Sequence, residues 1–180
     1  MDNKIYRVFA GTPELLIHSC RVMFFVRQII DYLPDGLVNL TQAQDLLFAA
    51  LYHDIGKSTW QNQWFISARY QIRNVDWTVM QMHPIQSINI IKELGLSLTE
   101  GARKYIVQHH ERPGGKGYPH EIEPDFYSLI LSAADTFCAC TESRGYRPYP
   151  LDAGQALKEV SSFAPEIIVD ALKIIIKKIA

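Results

Sequence analysis

Histidine and carboxylate side chains recur along the chain in combinations that could bind metal ions together. Five of the six histidines adjoin a carboxylate, another histidine or an apolar helix, namely His18, His53, His83, His109 and His110. Imidazole nitrogen and carboxylate oxygen, without thiolate, suit Fe, Mn, Co, Ni or Zn better than Mg or Ca. Two or more such ions about 3.5–4 Å apart polarise a phosphoryl group and activate a bridging water at neutral pH. These residue types therefore indicate phosphoester hydrolysis.

Taken singly, most of these residues also have a structural interpretation. Glu14 and His18 are four residues apart on one helical face, where they could hold an ion or simply hydrogen-bond each other. His53 and Asp54 follow the apolar run "LLFAALY". A buried carboxylate without a partner costs several kcal/mol, so Asp54 must be paired or metal-bound. His83 precedes a proline early in a helix, where a histidine is most often structural.

Three further residues complete the pattern. On a helix, the side chains of His109 and His110 diverge by about 100°, so we expect them to serve two neighbouring ions. Asp135 is a single acid within the apolar stretch "LILSAADTFCAC", where an unpaired charge is expensive. Jointly these residues predict a site for more than one ion. A helical protein with satisfied core histidines is the plain alternative, and it predicts no bound transition metal.

Helical periodicity dominates the sequence, which predicts an all-α protein with a single domain over residues 1–180. Thr12 and Thr41 are the expected N-caps of the first two helices, the second running to Asp54. Thr99 is expected to cap a helix that runs to His110. The other expected helices span 77–94, 125–143, 153–163 and 165–179. Residues 60–76 carry aromatic side chains but no clear signal.

Composition narrows the classes of protein further. The chain has 180 residues, 48% of them hydrophobic, and a formal net charge of −1. This charge argues against binding duplex nucleic acid through bulk positive charge. The apolar stretch 15–33 contains four charged or histidine residues, so it does not predict a membrane span. We find no signal-peptide pattern, and the three cysteines form no CxxC pair, so we expect a cytoplasmic protein without membrane contact.

The order of the motifs resembles the HD superfamily of metal-dependent phosphohydrolases. The stretches "HDIGK", "HP", "HHERPGGKGYP" and "ADTFCACTESRGYR" are similar to those of its HD-GYP family, and the resemblance covers about residues 14–172. It implies an all-α, HD-type helical bundle with a C-terminal GYP-type extension. It also implies a phosphodiesterase of bacterial signalling that hydrolyses a cyclic dinucleotide, chiefly cyclic di-GMP, by attack of a metal-activated hydroxide.

Carried over by position, the resemblance implies roles for individual residues. The implied metal ligands are Glu14, His18, His53, Asp54, His83, His109, His110 and Asp135. Asp54 would bridge two ions, and Glu14 matches the extra carboxylate of members that hold three. Two or three ions are thus implied, Fe or Mn first, with Zn, Ni or Co as alternatives. Asp54 and Lys57 are the implied catalytic residues, and Lys57, Arg144, Tyr146 and Arg147 the substrate-binding ones.

The chain departs from the family pattern at three positions. Gly114 replaces a common aspartate in the "GYP" loop, Cys138 replaces a second aspartate after the last ligand, and Gly145 replaces a proline. None of these is an expected ligand, so they bear on the loop and on the substrate. Two alternatives stay open: an HD-type nucleotidase or phosphodiesterase for another nucleotide, and a catalytically weak module. Such a module would bind a cyclic dinucleotide, or dock a diguanylate cyclase or other signalling protein through the loop.

Overall fold

Helices make up nearly all regular structure in the computed structural model, which describes residues 9, 11–60, 71–143, 147 and 149–179. In these residues there are eight α-helices, a 3₁₀ helix and no β-strand element, which confirms the all-α prediction. The helices are α1 (Pro13–Tyr32), α2 (Leu40–Tyr52), the 3₁₀ helix (Ile55–Thr59), α3 (Asn74–Met80), α4 (His83–Glu93), α5 (Glu100–Gln108), α6 (Phe126–Thr141), α7 (Ala153–Ser161) and α8 (Glu166–Ile179).

The buried apolar side chains form one connected core around α1 and α6. On α1 the buried positions recur every three or four residues, and His18 lies in the same row as Leu15, Val22 and Phe25. Helix α6 is buried on most sides. It packs against α1 and α7, while α5 packs against α2 and α4. The core therefore continues directly into the side of the bundle that carries the histidines.

Helix caps account for where most helices begin and end. The Thr99 hydroxyl accepts a hydrogen bond from the Ala102 amide (3.1 Å) at the start of α5, as predicted. Thr12 occupies the N-cap position of α1 but makes no side-chain capping bond. The prediction of Thr41 as a cap was wrong. Asn39 caps α2 instead, because its side chain and that of Gln42 each accept a bond from the other's backbone amide.

The helix predicted over 77–94 is in fact two helices, α3 and α4, with a break at Gln81 and Met82. Pro84 explains the break, because it has no amide hydrogen and its ring would clash with the carbonyl of Met80. The break makes His83 the first residue of α4. Helix α5 also ends earlier than predicted, at Gln108, so that His109 is its C-cap and His110 follows in a turn.

The 3₁₀ helix packs against the start of α4 at backbone contact distance. A Cβ on Gly56 would lie 2.2 Å from the His83 carbonyl oxygen, so only glycine fits there. The Gly56 amide donates to the Ser87 hydroxyl (2.9 Å), which donates to the His53 carbonyl (2.7 Å). One serine of α4 thus holds the backbone on both sides of Asp54.

None of the helices in these ranges combines the length and apolar character needed to cross a bilayer. The three cysteines are free thiols: Cys20 is exposed, and Cys138 and Cys140 are buried.

Replacing Gly56 by alanine tests this close approach. We expect Gly56→Ala to destabilise the fold by about 3 kcal/mol, because the new methyl group must push the 3₁₀ helix away from α4. Thermal or urea unfolding measures the change. Gly11→Ala is the matched control, since a Cβ there meets no atom within 4 Å. Equal stability of the two variants would contradict the proposed fit.

Candidate metal centre

Seven predicted ligand side chains from separate segments converge at one end of the core. His18 comes from α1, His83 from the start of α4 and Asp135 from the middle of α6, while two pairs follow the C-terminal ends of α2 and α5. Six of the seven are at most 5% exposed, namely His18, His53, Asp54, His83, His109 and Asp135. His110 is half-buried. Such burial of ionisable groups requires that they satisfy one another or a bound ion.

The side chains fall into two groups that share Asp54. One group consists of Asp54, His83, His109 and His110, and the other of His18, His53, Asp54 and Asp135. Within each group the potential ligand atoms lie within 4.8 Å of one another. This is the spacing that a small cation needs to collect several ligands.

The two oxygens of Asp54 face different groups. Oδ1 lies 3.1 Å from His83 Nε2 and 3.7 Å from His109 Nε2. Oδ2 lies 3.5 Å from His53 Nε2 and 3.8 Å from His18 Nε2. A carboxylate in this position is suited to bridge two ions.

We expected His109 and His110 to serve neighbouring ions, but the structure brings both into the same candidate group. The expectation assumed that both residues continue a helix, where adjacent side chains diverge. Helix α5 ends before them, and in the following turn their ring centroids lie only 4.1 Å apart.

Three of the histidines are oriented by their own backbone. The Nδ1 atoms of His53, His83 and His109 lie 2.9, 2.8 and 2.6 Å from the carbonyl oxygens three residues earlier. Because a carbonyl oxygen only accepts, Nδ1 carries the proton and donates. Each Nε2 then presents a lone pair to the centre, which is the arrangement of a metal-ligating histidine.

Two buried nitrogen atoms support the presence of an ion. The Nε2 atoms of His53 and His110 have no hydrogen-bond partner within the described parts of the chain. A buried polar atom left without a partner costs about 1–3 kcal/mol. Both atoms belong to the groups above, and the donors are imidazole and carboxylate without thiolate. The residues therefore fit a divalent transition ion.

Burial keeps three of the imidazoles neutral. It lowers the pKa of His83 to about 4, with a further contribution from the Lys57 charge. It also lowers the pKa of His109 and holds that of His110 well below its usual value. Neutral imidazole is the form that binds a metal ion.

The carboxylates stay ionised despite their burial. Burial alone would raise the pKa of Asp54, but the Lys57 charge and the surrounding histidines hold it well below the usual value. Burial would likewise raise the pKa of Asp135, but the hydrogen bond with His18 and the nearby His53 ring hold it well below the usual value. Burial lowers the pKa of His18, but hydrogen bonds to Asp135 and Glu142 outweigh it and raise this pKa to about 9.

Lys57 lies at the edge of the centre and contacts Asp54 directly. Its Nζ atom is 2.5 Å from Asp54 Oδ2, and its side chain is 17% exposed. The same Nζ lies 5.5 Å from the ring centroid of Trp60, whose ring meets His83 edge-on. The Lys57 ammonium group therefore contacts the buried carboxylate from a side chain that is partly exposed.

Other predicted site residues lie elsewhere. Glu14 is exposed on α1 and belongs to neither group. The Arg147 guanidinium donates to the carbonyl oxygens of Ala139 and Cys140 (3.2 Å for the latter) at the end of α6. Arg144 and Tyr146 lie outside the described residues. The roles of these four residues stay predictions from the resemblance.

A buried glutamate that the sequence interpretation passed over organises the loop after α5. Glu111 is fully buried, and its carboxylate accepts from the amides of His120 (2.7 Å) and Ile122 (3.2 Å). The Gly114 amide donates to Glu123 Oε2 (2.7 Å). The loop thus closes on these two carboxylates, without an aspartate at position 114. Glu111 directly follows the "HH" pair in the sequence, and this position could have identified it as a residue near the site.

The loop also brings an aromatic ring to the centre. The Tyr118 ring stacks on that of His110, with centroids 4.6 Å apart and planes 27° apart. Two other residues that the sequence did not single out, Ser87 and Glu142, hold the backbone at His53 and the side chain of His18.

Substitution of one ligand tests the metal site. We expect His53→Ala to lower the metal content by at least one ion per chain, because it removes a ligand from the second group. Elemental analysis of protein purified without chelators measures the content. His120→Ala is the matched control, because His120 is exposed and lies in neither group. Equal metal content in both variants would contradict this assignment.

The sequence matches a known family over most of its length. Residues 12–171 match the family described as HD domain. The chain is similar to a 3′3′-cGAMP-specific phosphodiesterase (number 3) of Vibrio cholerae, with 33% identity over 156 residues, which cover 84% of this chain and 33% of that protein. It is also similar to a cyclic di-GMP phosphodiesterase of Vibrio cholerae, with 28% identity over 73% of this chain and 29% of that protein. The chain spans about a third of the length of these curated relatives.

Two solved structures share the fold. The Bdellovibrio bacteriovorus protein Bd1817, described as an HDG"Y"P protein, superposes with a TM-score of 0.70 at 18% identity, covering 91% of this chain and 52% of that one. The HD domain of the L. monocytogenes phosphodiesterase PgpH in complex with cyclic-di-AMP has a TM-score of 0.70 at 13% identity, covering 99% and 97%. The sequence match over residues 12–171 establishes that the chain belongs to the HD-domain family, and the two structures show that it shares their fold.

Proposed function

We propose that this protein is a metal-dependent phosphodiesterase that hydrolyses a cyclic dinucleotide. The observation that carries the proposal is the pair of ligand groups joined by Asp54, whose two oxygens face one group each. Such a carboxylate would hold two ions, which together could act on one phosphoryl group. Two proteins that are similar to this chain in sequence are named as cyclic dinucleotide phosphodiesterases.

The two groups of side chains would each hold one ion. His83, His109 and His110 would hold one ion, and His18, His53 and Asp135 the other, with Asp54 between them. When bound, the ions supply Lewis acidity towards a phosphoryl oxygen and a nucleophilic water at neutral pH. Iron or manganese is the first expectation from the resemblance, and zinc, nickel and cobalt suit the same donors. Glu14 remains the proposed ligand of a third ion.

Lys57 is the residue best placed to act on the substrate itself. Its ammonium group contacts Asp54 and its side chain is partly exposed, so an anionic phosphoryl oxygen can approach the side chain. A fixed positive charge there stabilises the negative charge that develops when the phosphoester is attacked. The buried surroundings strengthen this interaction, since the effective dielectric constant is lower than in water. Arg144, Tyr146 and Arg147 are the proposed contacts to the rest of the substrate.

The names of the relatives support a cyclic dinucleotide as the substrate class. They differ in the two bases that this dinucleotide carries. The sequence resemblance favours cyclic di-GMP, for which one of the relatives is named. The relative of higher identity is named for 3′3′-cGAMP. Cyclic di-AMP is the ligand in the structure of PgpH. All three present the same cyclic array of two phosphodiesters. Docking of a diguanylate cyclase or other signalling protein on the loop after α5 stays a prediction.

Loss of the bridging carboxylate tests the proposed activity. We expect the protein loaded with Mn²⁺ or Fe²⁺ to hydrolyse at least one of cyclic di-GMP, 3′3′-cGAMP and cyclic di-AMP. Asp54→Asn should abolish this turnover, because a neutral amide cannot bridge two cations. Chromatographic product analysis of all three substrates measures the effect and ranks the substrates. Asp170→Asn, at an exposed position of α8, is the control. Turnover retained by Asp54→Asn, or binding without turnover by the wild type, would contradict the proposal.

Lys57 can be tested separately from the metal ions. We expect Lys57→Met to lower kcat by about 10²–10³-fold, as does loss of a single group that stabilises developing charge. The metal content should stay that of the wild type, since an ammonium group has no lone pair to offer a metal ion. Lys92→Met, at an exposed position of α4, is the control for loss of a positive charge. An unchanged kcat would remove Lys57 from the catalytic residues.

A further inference from the structure

We propose that Glu142 is a positioning residue that fixes the His18 imidazole for metal binding, an inference that rests on the proposed function. His18 Nδ1 lies 2.9 Å from Glu142 Oε2, and His18 Nε2 lies 3.0 Å from Asp135 Oδ1. Because an ionised carboxylate only accepts, the Nδ1–H group of His18 donates this hydrogen bond to Glu142. The ring is then held with Nε2 towards Asp135 and Asp54.

His18 needs such a partner because of its place in the fold. His53, His83 and His109 each donate Nδ1–H to a carbonyl of the preceding residues, which helix ends leave available. His18 instead lies inside α1, where the nearby carbonyls accept the helix's own amide bonds. The acceptor for its Nδ1 therefore comes from another element, at the C-terminal end of α6, 124 residues along the chain.

Glu142 is itself held in place by α1. Arg21 Nη1 lies 3.3 Å from Glu142 Oε1, and Arg21 Nη2 donates to the Thr141 hydroxyl (2.9 Å). That hydroxyl donates to the Phe137 carbonyl (2.8 Å). Arg21 is three residues after His18 and so lies on the same side of α1. Each carboxylate oxygen of Glu142 thus has a partner on α1, which restricts the movement of the carboxylate away from the imidazole.

The spacing along α6 shows how this chain supplies the carboxylate. Asp135, Cys138 and Glu142 are at i, i+3 and i+7, so they lie on one face of the helix. Position 138 on this face is a buried cysteine, which offers no carboxylate. Glu142, one turn further along, provides an acidic group on that face. Its longer side chain reaches back to His18 from the end of the helix.

The chemical effect expected of Glu142 is on metal affinity. A carboxylate that accepts from the outer nitrogen of a ligating histidine fixes the ring and makes the inner nitrogen a stronger donor. Removal of such a partner weakens metal binding by about 10–100-fold. The weakening should concern the ion held by His18, His53 and Asp135, while the group around His110 keeps its ligands.

Titration of Mn²⁺ into chelator-stripped protein, followed by calorimetry, tests the proposal. We expect Glu142→Ala to weaken one binding event by about 10–100-fold and to lower the number of ions retained after gel filtration by about one relative to the wild type. Glu142→Gln, which keeps an acceptor but loses the charge, should show a smaller loss. Arg21→Met leaves Glu142 intact but frees it, and should also show a smaller loss. Glu93→Ala, at an exposed position of α4, is the control.

The outcomes separate this proposal from the proposed function. If Glu142 is only part of a structural ion pair, the variants will unfold at lower temperature but bind Mn²⁺ as the wild type does, which overturns the proposal. If Glu142→Ala does not fold, the Gln and Arg21→Met variants decide in the same way. A wild type that binds no transition ion would overturn the proposed function as well. A wild type that binds two ions and hydrolyses its substrate, with unchanged affinity in the variants, would overturn the role of Glu142 alone.

Discussion

The buried carboxylate of Asp54 is the constraint on which the arrangement of the bundle depends. It is 1% exposed, and a charge so placed costs several kcal/mol unless surrounding groups compensate for it. Lys57 and histidines from four segments surround it. Each segment must therefore reach the same point, which explains why α1, α4, α5 and the turn after α2 meet there. The packing of these segments and the assembly of the site therefore depend on the same contacts.

Small polar side chains hold the turns that carry the histidines. The Ser87 hydroxyl donates to the His53 carbonyl, and the Ser132 hydroxyl of α6 donates to the His109 carbonyl at 2.5 Å. Both serines are fully buried. These hydrogen bonds fix the backbone of His53 and His109, and the fixed backbone in turn positions the two imidazoles. Pre-organisation of this kind keeps the ligand atoms together at no cost to the ligands' own hydrogen bonds.

The sequence predicted local features well and remote partners poorly. Caps such as Thr99 and the glycine that ends α4 depend on a few neighbouring residues, so they can be recognised directly. Asn39 was missed because two overlapping capping patterns compete in "NLTQ", and only the geometry decides between them. The break before His83 was missed although Pro84 was a signal for it, because proline suits the first turn of a new helix and disrupts the interior of a continuous one. Motif order predicted the candidate ligands, but their grouping depends on the turn after α5, which the sequence did not predict. Glu142 had no local signal, because its partner is far away in the sequence.

The donation of Nδ1–H to a backbone carbonyl by His53, His83 and His109 has a second consequence. The acceptors, Ala50, Met80 and Ile106, are among the last four residues of α2, α3 and α5. The histidines therefore satisfy carbonyl groups that a helix end leaves without partners. Helix C-termini also carry partial negative charge, about half an elementary charge each. Three helix dipoles thus favour cations at the place where the imidazoles converge, so the backbone itself contributes to cation affinity.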